Sequence, residues 1–269
     1  KRFGAAVSVV QHDDHLVGRE EPGLSDLLAR ILREEGVDVH LGRSAKAVRR
    51  DGGERVVTLD DGTELRSEQV IVATGRAPRT DGLGLDTVGI EPGKQGQIPV
   101  DERCRAADGV WAAGDVTGVA LFTHIGKYQA RVAVANMLGR EAKADYRAIP
   151  RIIFTHPEVA AVGLTEQQAR EKGIEVDTVE VEVANEISRP FTYEELHGDD
   201  WGGTLKLVAD RERRVLVGAW AVSPLASEWI HQAVLAVRAE VPLDVLADTI
   251  PGFPSYSEAM TMAVLKLCA

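Results

Sequence analysis

The stretch Val110-Trp111-Ala112-Ala113-Gly114-Asp115-Val116-Thr117-Gly118 decides how the rest of the sequence is interpreted. An apolar run ends there in Gly114-Asp115, and a run typical of a helix begins near Thr123. The pattern predicts a buried strand that stops at Gly114-Asp115 and a helix whose N-terminus points back towards it. This arrangement places a carboxylate and backbone N–H groups at the edge of a sheet where open α/β folds bind ligands. A plain turn capped by Asp115 is the alternative interpretation.

Composition excludes several classes of protein. The 269 residues are enough for roughly two domains, each with its own core. The net charge of −11 argues against non-specific nucleic-acid binding, which needs a basic face. No apolar run approaches the roughly 18 residues that span a bilayer, so neither a nucleic acid nor a membrane is expected as a partner. The two cysteines, Cys104 and Cys268, form no CxxC, which disfavours a disulfide framework or a thiolate zinc site and favours a reducing cytoplasm.

Local patterns predict two differently organised halves with a boundary near residue 149. The first half has a β-α-β beginning, and the second has strands followed by helices, which indicates an α+β domain. The elements predicted in the first half are a strand at 5–10, a helix from Pro22 to Gly36, a strand at 37–41, a hairpin of strands near 55–59 and 63–65, a buried strand at 68–75 and an edge strand near 97–100. Those predicted in the second half are strands at 175–183, 204–209 and 214–222 and helices at 227–239, after Pro242 and at 255–268.

The beginning of the chain lacks a feature of dinucleotide-binding domains. Such a domain normally opens with a strand that leads into GxGxxG and a helix. This sequence begins with what looks like the second strand of such a unit, without the glycine fingerprint. We therefore expect the chain to be the C-terminal part of a longer protein.

Three motifs, in this order, carry a family resemblance. They are Val72-Ala73-Thr74-Gly75-Arg76-Ala77-Pro78, Trp111-Ala112-Ala113-Gly114-Asp115, and the stretch from Phe154-Thr155-His156-Pro157 to Glu166. Together they resemble the FAD-dependent pyridine nucleotide-disulfide oxidoreductases, which include dihydrolipoamide dehydrogenase, mercuric reductase and soluble transhydrogenase. The resemblance covers essentially the whole chain and corresponds to about the last three-fifths of a typical family member.

The resemblance implies a fold and an activity. The fold class would be α/β, with parts of Rossmann-like FAD- and NAD(P)-binding domains followed by an α+β dimerisation domain. Residues 1–72 would be a partial NAD(P)-binding domain, 73–149 the C-terminal half of the FAD-binding domain, and 150–269 the dimerisation domain of a homodimer. The activity would be transfer of a hydride from NAD(P)H to FAD and on to a disulfide or another acceptor, in cell redox homeostasis. The FAD-binding N-terminal half and its redox cysteine pair would lie outside this chain.

The resemblance also assigns roles to residues of the first motifs. Asp115 would accept a hydrogen bond from the ribityl chain of FAD, and the helix start at Phe122-Thr123 would face the flavin pyrimidine. Charge in reduced flavin gathers near N1 and O2, which a helix N-terminus stabilises. Gly75 and Gly114 would let the backbone pass close to the cofactor. Ordinary N-capping by Thr123 is an alternative.

The choice of nicotinamide cofactor depends on residues at the end of the second strand of the dinucleotide unit. An acidic residue there binds the ribose 2′-hydroxyl of NAD, and a basic one binds the 2′-phosphate of NADP. This chain has Gln11 and His12, which match neither pattern and slightly favour NADH. A metal cluster formed by His12 and His15 with the nearby aspartates is disfavoured against a solvated loop, so no metal is expected.

The sequence departs from the family pattern near its end. Many members carry a His-Pro followed by a Glu, and the histidine is the acid–base partner of the redox thiol. Phe253 stands in place of that histidine and cannot carry a proton, whereas Glu258 keeps the position of the carboxylate. We therefore take Glu258 as the candidate catalytic residue, with a capping box formed with Ser255 as the structural alternative.

The final residues bear on the electron acceptor. Mercuric reductases end in a pair of adjacent cysteines, but this chain has the single Cys268. The departures count against dihydrolipoamide dehydrogenase chemistry and are compatible with mercuric-reductase-like or transhydrogenase-like chemistry. The competing hypothesis is a non-catalytic C-terminal fragment that acts only as a dimerisation module.

Overall fold

A computed structural model describes residues 1–188 and 203–269. The chain divides into two compact units, one formed by Lys1–Val70 with Arg147–Ala269 and the other by Ile71–Tyr146. The strands are β1 Ser8–Val10, β2 Asp38–His40, β3 Ala45–Asp51, β4 Glu54–Leu59, β5 Glu64–Ser67, β6 Arg105–Ala107, β7 Val110–Trp111, β8 Arg151–Ile153, β9 Glu158–Gly163, β10 Val176–Glu182, β11 Thr204–Asp210 and β12 Val215–Ser223. The helices are α1 Pro22–Glu34, α2 Thr123–Met137, α3 Glu166–Glu171, α4 Val183–Glu186, α5 Ala226–Trp229, α6 His231–Ala239, α7 Leu243–Ala247 and α8 Ser257–Cys268.

The larger unit contains a β-α-β segment and a central antiparallel sheet. Strands β1 and β2 pair in parallel, and the helix α1 joins them. Pro22 occupies the start of α1, where its missing N–H costs nothing, and Gly36 follows the helix end with a φ of +78°. A three-stranded antiparallel sheet, β3-β4-β5, comes next in the chain. The central sheet has the strand order β10-β11-β12-β9-β8.

Both faces of the central sheet are covered, which explains its nearly continuous apolar strands. In β12, Ala219 and Ala221 belong to a cluster that contains residues of α5 to α8, whereas Trp220 and Val222 pack with Leu24 of α1. Successive side chains of a strand point to opposite faces, so a strand buried on both faces needs apolar residues at every position. The unit is therefore layered as helix, sheet and helices.

A group of partly buried ion pairs joins the two chain segments of the larger unit, and we call it the charged network: Glu20, Glu21, Arg151, Glu166 and Lys206. Arg151 donates to both carboxylate oxygens of Glu20 at 2.6 and 2.8 Å. Lys206 lies 3.1 Å from Glu21 and 2.9 Å from Glu166, and its side chain is only 14% exposed. Glu21 also accepts a hydrogen bond from the backbone N–H of Glu166, at the start of α3. The residues before α1 are thus attached to β8, β11 and α3.

The smaller unit is built around α2 and the short antiparallel pair β6-β7. Its core contains Cys104, Val132 and Ala133, and the half-buried rings of Trp111 and Tyr128 pack against them. A 3-10 turn at Asp115–Thr117 follows β7 and precedes α2. The helix start predicted from the sequence therefore exists in this unit, whereas the buried strand predicted before Gly114-Asp115 is limited to the two half-buried residues of β7.

The mixed α/β fold class is confirmed, as are the helices at 22–34 and 123–137, the 54–67 hairpin and the strands at 176–182, 204–210 and 215–223. The buried strand predicted at 68–75 is wrong: Ile71 and Val72 are 90% and 77% exposed. A strand requires a neighbour for its hydrogen bonds, and no strand of the described chain pairs with this segment.

Three further predictions of strands and helices were wrong in whole or in part. The segment 97–100 forms no edge strand, although the Ile98 N–H donates to the carbonyl of Val116 at 2.8 Å. The helix predicted at 227–239 is broken at Ile230 into α5 and α6. The strand predicted at 5–10 is limited to β1, because only residues 8–10 have partners in β2.

Candidate functional site

The candidate site in the smaller unit is the turn at Gly114-Asp115. Gly114 has a φ of +89° and ψ of −159°, a conformation that a residue with a side chain rarely adopts. The Cα of Gly126, in the first turns of α2, faces the Gly114 backbone so closely that a Cβ on Gly126 would lie 3.2 Å from the Gly114 Cα. A pair of glycines therefore lets the turn and the helix approach each other.

The Asp115 carboxylate lies on the surface of this turn and is 43% exposed. It accepts a hydrogen bond from Nη1 of Arg76 at 2.7 Å. Arg76 follows Gly75, which has a φ of +119°, and a Cβ at position 75 would meet no atom of the described residues within 4 Å. Glycine at position 75 thus suits a backbone conformation that residues with a side chain rarely adopt, and the first and second sequence motifs meet through Arg76 and Asp115.

Helix α2 begins as predicted, but Thr123 is its first residue and not its cap. The N-cap is Phe122, and no side chain of the described residues caps the helix start by a hydrogen bond. The Phe122 ring stacks on the ring of His124 with centroids 5.1 Å apart. The alternative of N-capping by Thr123 is therefore wrong, and the positive end of the helix dipole is not neutralised by a capping side chain from this part of the chain.

A buried set of polar groups holds the turn against the helix, and we call it the amide network: Gly114, Thr117, Gln129 and Tyr146. The side-chain oxygen of Gln129 accepts from the Gly114 N–H at 2.7 Å, and its nitrogen donates to Thr117 at 3.1 Å and to Tyr146 at 3.0 Å. Thr117 Oγ1 donates to the carbonyl of Gly114 at 2.8 Å. Both backbone polar groups of Gly114 are thereby bound.

Burial controls the titration of Tyr146, a member of this network, and of the neighbouring Cys104. It raises the pKa of Tyr146 to about 12, against the opposing effect of the hydrogen bond with Gln129. Burial also raises the pKa of the Cys104 thiol, whose sulfur lies 3.8 Å from the Tyr146 hydroxyl. The amide network is therefore electrically neutral at physiological pH.

Sequence reasoning missed Gln129, Thr117, Tyr146 and Gly126. A signal for Gln129 was present, because it lies four residues after Ile125 and three before Val132, both of them buried. A glutamine on the apolar face of a helix requires buried partners. Its partners, however, are 12 to 17 residues away along the chain.

The residues predicted to bind the nicotinamide cofactor lie in the larger unit, at the end of β1. The Gln11 N–H donates to the carbonyl of His40, and its side chain lies 3.4 Å from a carboxylate oxygen of Asp13. His12 is 72% exposed and pairs with Asp13 at 2.9 Å. Within residues 1–188 and 203–269, no group of three or more His, Cys, Asp or Glu side chains has a metal-binding arrangement.

Glu258, the candidate catalytic residue, lies at the start of α8. It accepts a hydrogen bond from the Ser255 N–H at 2.7 Å, while the Ser255 hydroxyl donates to the carbonyl of Gly252. This is the carboxylate half of a capping box. Ser188 lies 3.3 Å from its other oxygen, and the nearby Phe253 is 77% exposed.

Two family models match the chain. The model of pyridine nucleotide-disulphide oxidoreductases matches residues 1–137, and the model of their dimerisation domain matches residues 149–264. The chain therefore belongs to the pyridine nucleotide-disulphide oxidoreductase family, as the sequence motifs predicted. Members of this family are enzymes that use FAD and NAD(P)H.

Named relatives are found among both reductases and dehydrogenases. Mercuric reductase of Streptomyces lividans is 36% identical over 267 residues, which are 97% of this chain and 55% of that protein. Dihydrolipoyl dehydrogenase 2 of Haloarcula marismortui is 36% identical over 269 residues, again 55% of its length. The chain thus spans little more than half of these relatives.

Solved structures agree with this assignment. LpdA of Mycobacterium tuberculosis has a TM-score of 0.89 and 29% identity, over 99% of this chain and 57% of that one. The HOCl-induced flavoprotein disulfide reductase RclA of Escherichia coli has a TM-score of 0.86 and 30% identity, over 98% and 60%. In the described part of the chain, no helix has both the length and the apolar character to cross a membrane.

Proposed function

We propose that this chain is the C-terminal part of an FAD-dependent NAD(P)H oxidoreductase, in which the Gly114-Asp115 turn binds the flavin. The observation that carries the proposal is the turn itself, which presents a half-exposed carboxylate beside a helix start that no described side chain caps. Family membership supplies the cofactor class, and its members use FAD and NAD(P)H.

The residues of the turn fit a flavin. Gly114 has a positive φ that favours glycine, and a Cβ on Gly126 would lie 3.2 Å from the Gly114 Cα, so both glycines suit the path of the backbone here. Asp115 accepts hydrogen bonds from hydroxyl groups, and Arg76 holds its carboxylate from one side at 2.7 Å. The N–H groups at the start of α2 favour an electron-rich atom, an effect of about 0.3–2 kcal/mol.

When bound, FAD would supply the redox chemistry, in which a hydride from NAD(P)H is passed on to a disulfide or another acceptor. Gln11 and His12 would bind the ribose of the nicotinamide cofactor, with NADH favoured because Gln11 offers an amide to a 2′-hydroxyl. Phe253 cannot transfer protons, so Glu258 is the remaining candidate catalytic group near α8, although its contact with Ser255 equally suits a structural role.

Partners follow from the same proposal. Residues 149–264 match a dimerisation domain, and large apolar side chains in that range are strongly exposed, which suits a homodimer. They include Phe154, Leu235, Ile250 and Phe253, which are 66% to 92% exposed. The other proposed partner is an N-terminal half with the remaining flavin contacts and a redox cysteine pair. Cys104 and Cys268 are both unpaired, in keeping with a reducing cytoplasm.

The test is an Asp115→Ala substitution in the complete gene product that contains this chain. We expect the purified variant to retain much less FAD per subunit, measured by absorbance near ~450 nm against protein concentration. Asp108→Ala is the matched control, because the side chain of Asp108 is 99% exposed in the same unit. Equal flavin content in the Asp115→Ala variant and the wild type would overturn the proposed role of the turn. A purified wild-type protein that contains no flavin would favour the competing hypothesis, in which the chain acts only as a dimerisation module.

A further inference from the structure

Gln129 is the most completely buried polar residue next to the candidate site. It is 0% exposed, although it lies on a helix whose neighbouring inward positions are apolar. A buried amide without partners is strongly destabilising, so its position depends on the hydrogen bonds that it makes. Those bonds determine what the residue can do.

The orientation of the Gln129 amide follows from its partners. The Gly114 N–H can only donate, so the oxygen of Gln129 must face it, at 2.7 Å. The amide nitrogen then faces Thr117 and Tyr146, and both of its N–H groups have acceptors. Thr117 accepts from Gln129 and donates its own proton to the Gly114 carbonyl.

These bonds fix the peptide units on both sides of Gly114. The N–H of Gly114 belongs to the peptide that precedes it, and its carbonyl to the peptide that leads into Asp115. The carbonyl also accepts from the Thr117 N–H at 3.0 Å, and the Gly118 N–H donates to the carbonyl of Asp115 at 3.1 Å. A glycine with a positive φ has a wide range of accessible conformations, and the side chains of Gln129 and Thr117 select one of them.

We propose that Gln129 is a positioning residue that sets the direction of the Asp115 carboxylate by fixing the Gly114 peptides from inside the protein. The proposal rests on the proposed function, in which Asp115 binds the flavin. It adds that flavin affinity depends on a residue buried under the turn, which acts through the backbone of Gly114.

A double-mutant cycle in the complete gene product tests this coupling. The variants are Gln129→Leu, Asp115→Ala and the double substitution, and the measurement is the FAD dissociation constant by titration of the apoprotein. We expect Gln129→Leu to weaken FAD binding about tenfold. The double variant should bind FAD no more weakly than Asp115→Ala alone. Both substitutions remove the same contact between the Asp115 carboxylate and FAD, one by misdirecting the carboxylate and the other by deleting it.

Asn136→Leu is the matched control for general destabilisation. Asn136 lies in the same helix and donates to two carbonyls, those of Val132 and Ala142, at 2.9 and 2.8 Å. We expect this variant to lower the melting temperature of the apoprotein about as much as Gln129→Leu, while its FAD dissociation constant changes less than about twofold.

A Gln129→Glu variant keeps the test decisive if Gln129→Leu does not fold. A neutral carboxyl retains an oxygen for the Gly114 N–H, and burial favours the neutral form of a carboxyl. We expect FAD affinity close to that of the wild type at low pH and a progressive loss as the pH rises, with no such trend in the wild type.

The outcomes separate the two proposals. Additive effects of Gln129→Leu and Asp115→Ala, or an unchanged dissociation constant in Gln129→Leu, would overturn the positioning role and leave Asp115 as a flavin ligand. Unchanged FAD binding in Asp115→Ala would overturn the proposed function, and the role of Gln129 with it.

Discussion

The charged network of the larger unit and the amide network of the smaller one perform the same task with different chemistry. Each attaches a chain segment to a helix or a sheet through polar groups that are partly or fully buried. Lys206, with a side chain 14% exposed, serves two carboxylates, whereas Gln129, fully buried, serves a backbone N–H and two hydroxyl groups. The first network depends on full charges, and the second contains none.

The difference determines how each network responds to the loss of a member. Removal of one ion from a buried pair leaves an uncompensated charge, which is far more unfavourable than an unpaired neutral group. A charged network is therefore fragile towards single substitutions and towards pH. A neutral network is less costly to damage, but its directional bonds hold a backbone conformation more closely.

The largest expected effect is that of Lys206→Met. Without the ammonium group, Glu21, which is 7% exposed, loses its ion pair, while Glu166 keeps its pair with Arg170. We therefore expect a loss of about 3 kcal/mol in the free energy of unfolding, mainly from Glu21. Urea denaturation measures it. Gln129→Leu should cost less in the same measurement, about 1–2 kcal/mol.

Arg211→Met is the control for Lys206→Met. Arg211 pairs with Asp177, but the two side chains are 57% and 47% exposed. Pairs that are open to water contribute little, so this variant should unfold at nearly the same urea concentration as the wild type. A Lys206→Met variant with wild-type stability would show that the charged network is no more fragile than the surface pairs.

A smaller effect is expected from Gly126→Ala, which tests how tightly the amide network holds the turn. The new methyl group would lie 3.2 Å from the Gly114 Cα, and this contact can be relieved only by a shift of the backbone. We expect a net loss of about 1 kcal/mol in stability, although alanine favours a helix.

Gly23→Ala, near the start of α1, supplies the comparison for that substitution. A Cβ there would meet only the Trp220 ring among the described residues, at 3.7 Å, an ordinary contact. Stability should be unchanged or rise by up to about 1 kcal/mol. If Gly126→Ala and Gly23→Ala raised the free energy of unfolding equally, the turn would move easily, which would contradict a rigid amide network.

The smallest expected effect is a difference in acid sensitivity. Hydrogen bonds from Lys206 and then Arg170 hold the pKa of Glu166 below its ordinary value of 4.5. A lowered pKa in the folded state means that Glu166 stabilises the protein above pH 4.5 and that this contribution is lost as the pH falls further. The stability gap between wild type and Lys206→Met, measured by urea denaturation, should therefore narrow between about pH 6 and about pH 3.

The same acidification should leave the gap between wild type and Gln129→Leu unchanged. The amide network contains one titratable group, Tyr146, and burial raises its pKa to about 12. Because the pKa of Tyr146 is raised in the folded state, its contribution to stability is lost only in alkali, as the pH rises from the unfolded pKa through the folded pKa. If acidification reduced the stability differences of Lys206→Met and of Gln129→Leu from the wild type to the same extent, the distinction between the two networks would be wrong.

Local patterns in the sequence predicted the elements that local physics determines. Pro22 and Gly36 bracket α1, Asp60-Asp61-Gly62 marks the hairpin turn, and the apolar spacing after Thr123 marks α2. The turn at Gly114-Asp115, given as the alternative interpretation, could be predicted for the same reason, because glycine and aspartate favour turns.

What the sequence could not reveal depends on partners far along the chain. The apolar run at 68–75 has the composition of a strand, but strand formation requires a neighbour that the described residues lack. The strands β8 and β9 were missed because the pairing of β9 with the distant β12 positions them. The helix α3 begins with a capping box of Thr165 and Gln168, a local signal that the prediction overlooked. Gln129 was missed because its role requires knowledge of Tyr146 and the Gly114 backbone.

The exposed segment Val70-Ile71-Val72-Ala73 has a consequence for handling this polypeptide. Four consecutive apolar residues, three of them β-branched, lie outside any strand of the described chain and are a template for intermolecular strand pairing and cross-β stacking. Glu68 and Arg76 flank the segment with opposite charges and Pro78 follows, the kind of residues that act as gatekeepers against such assembly. Concentrated preparations of the 269-residue chain should consequently form sheet-rich aggregates sooner when these flanking charges are removed.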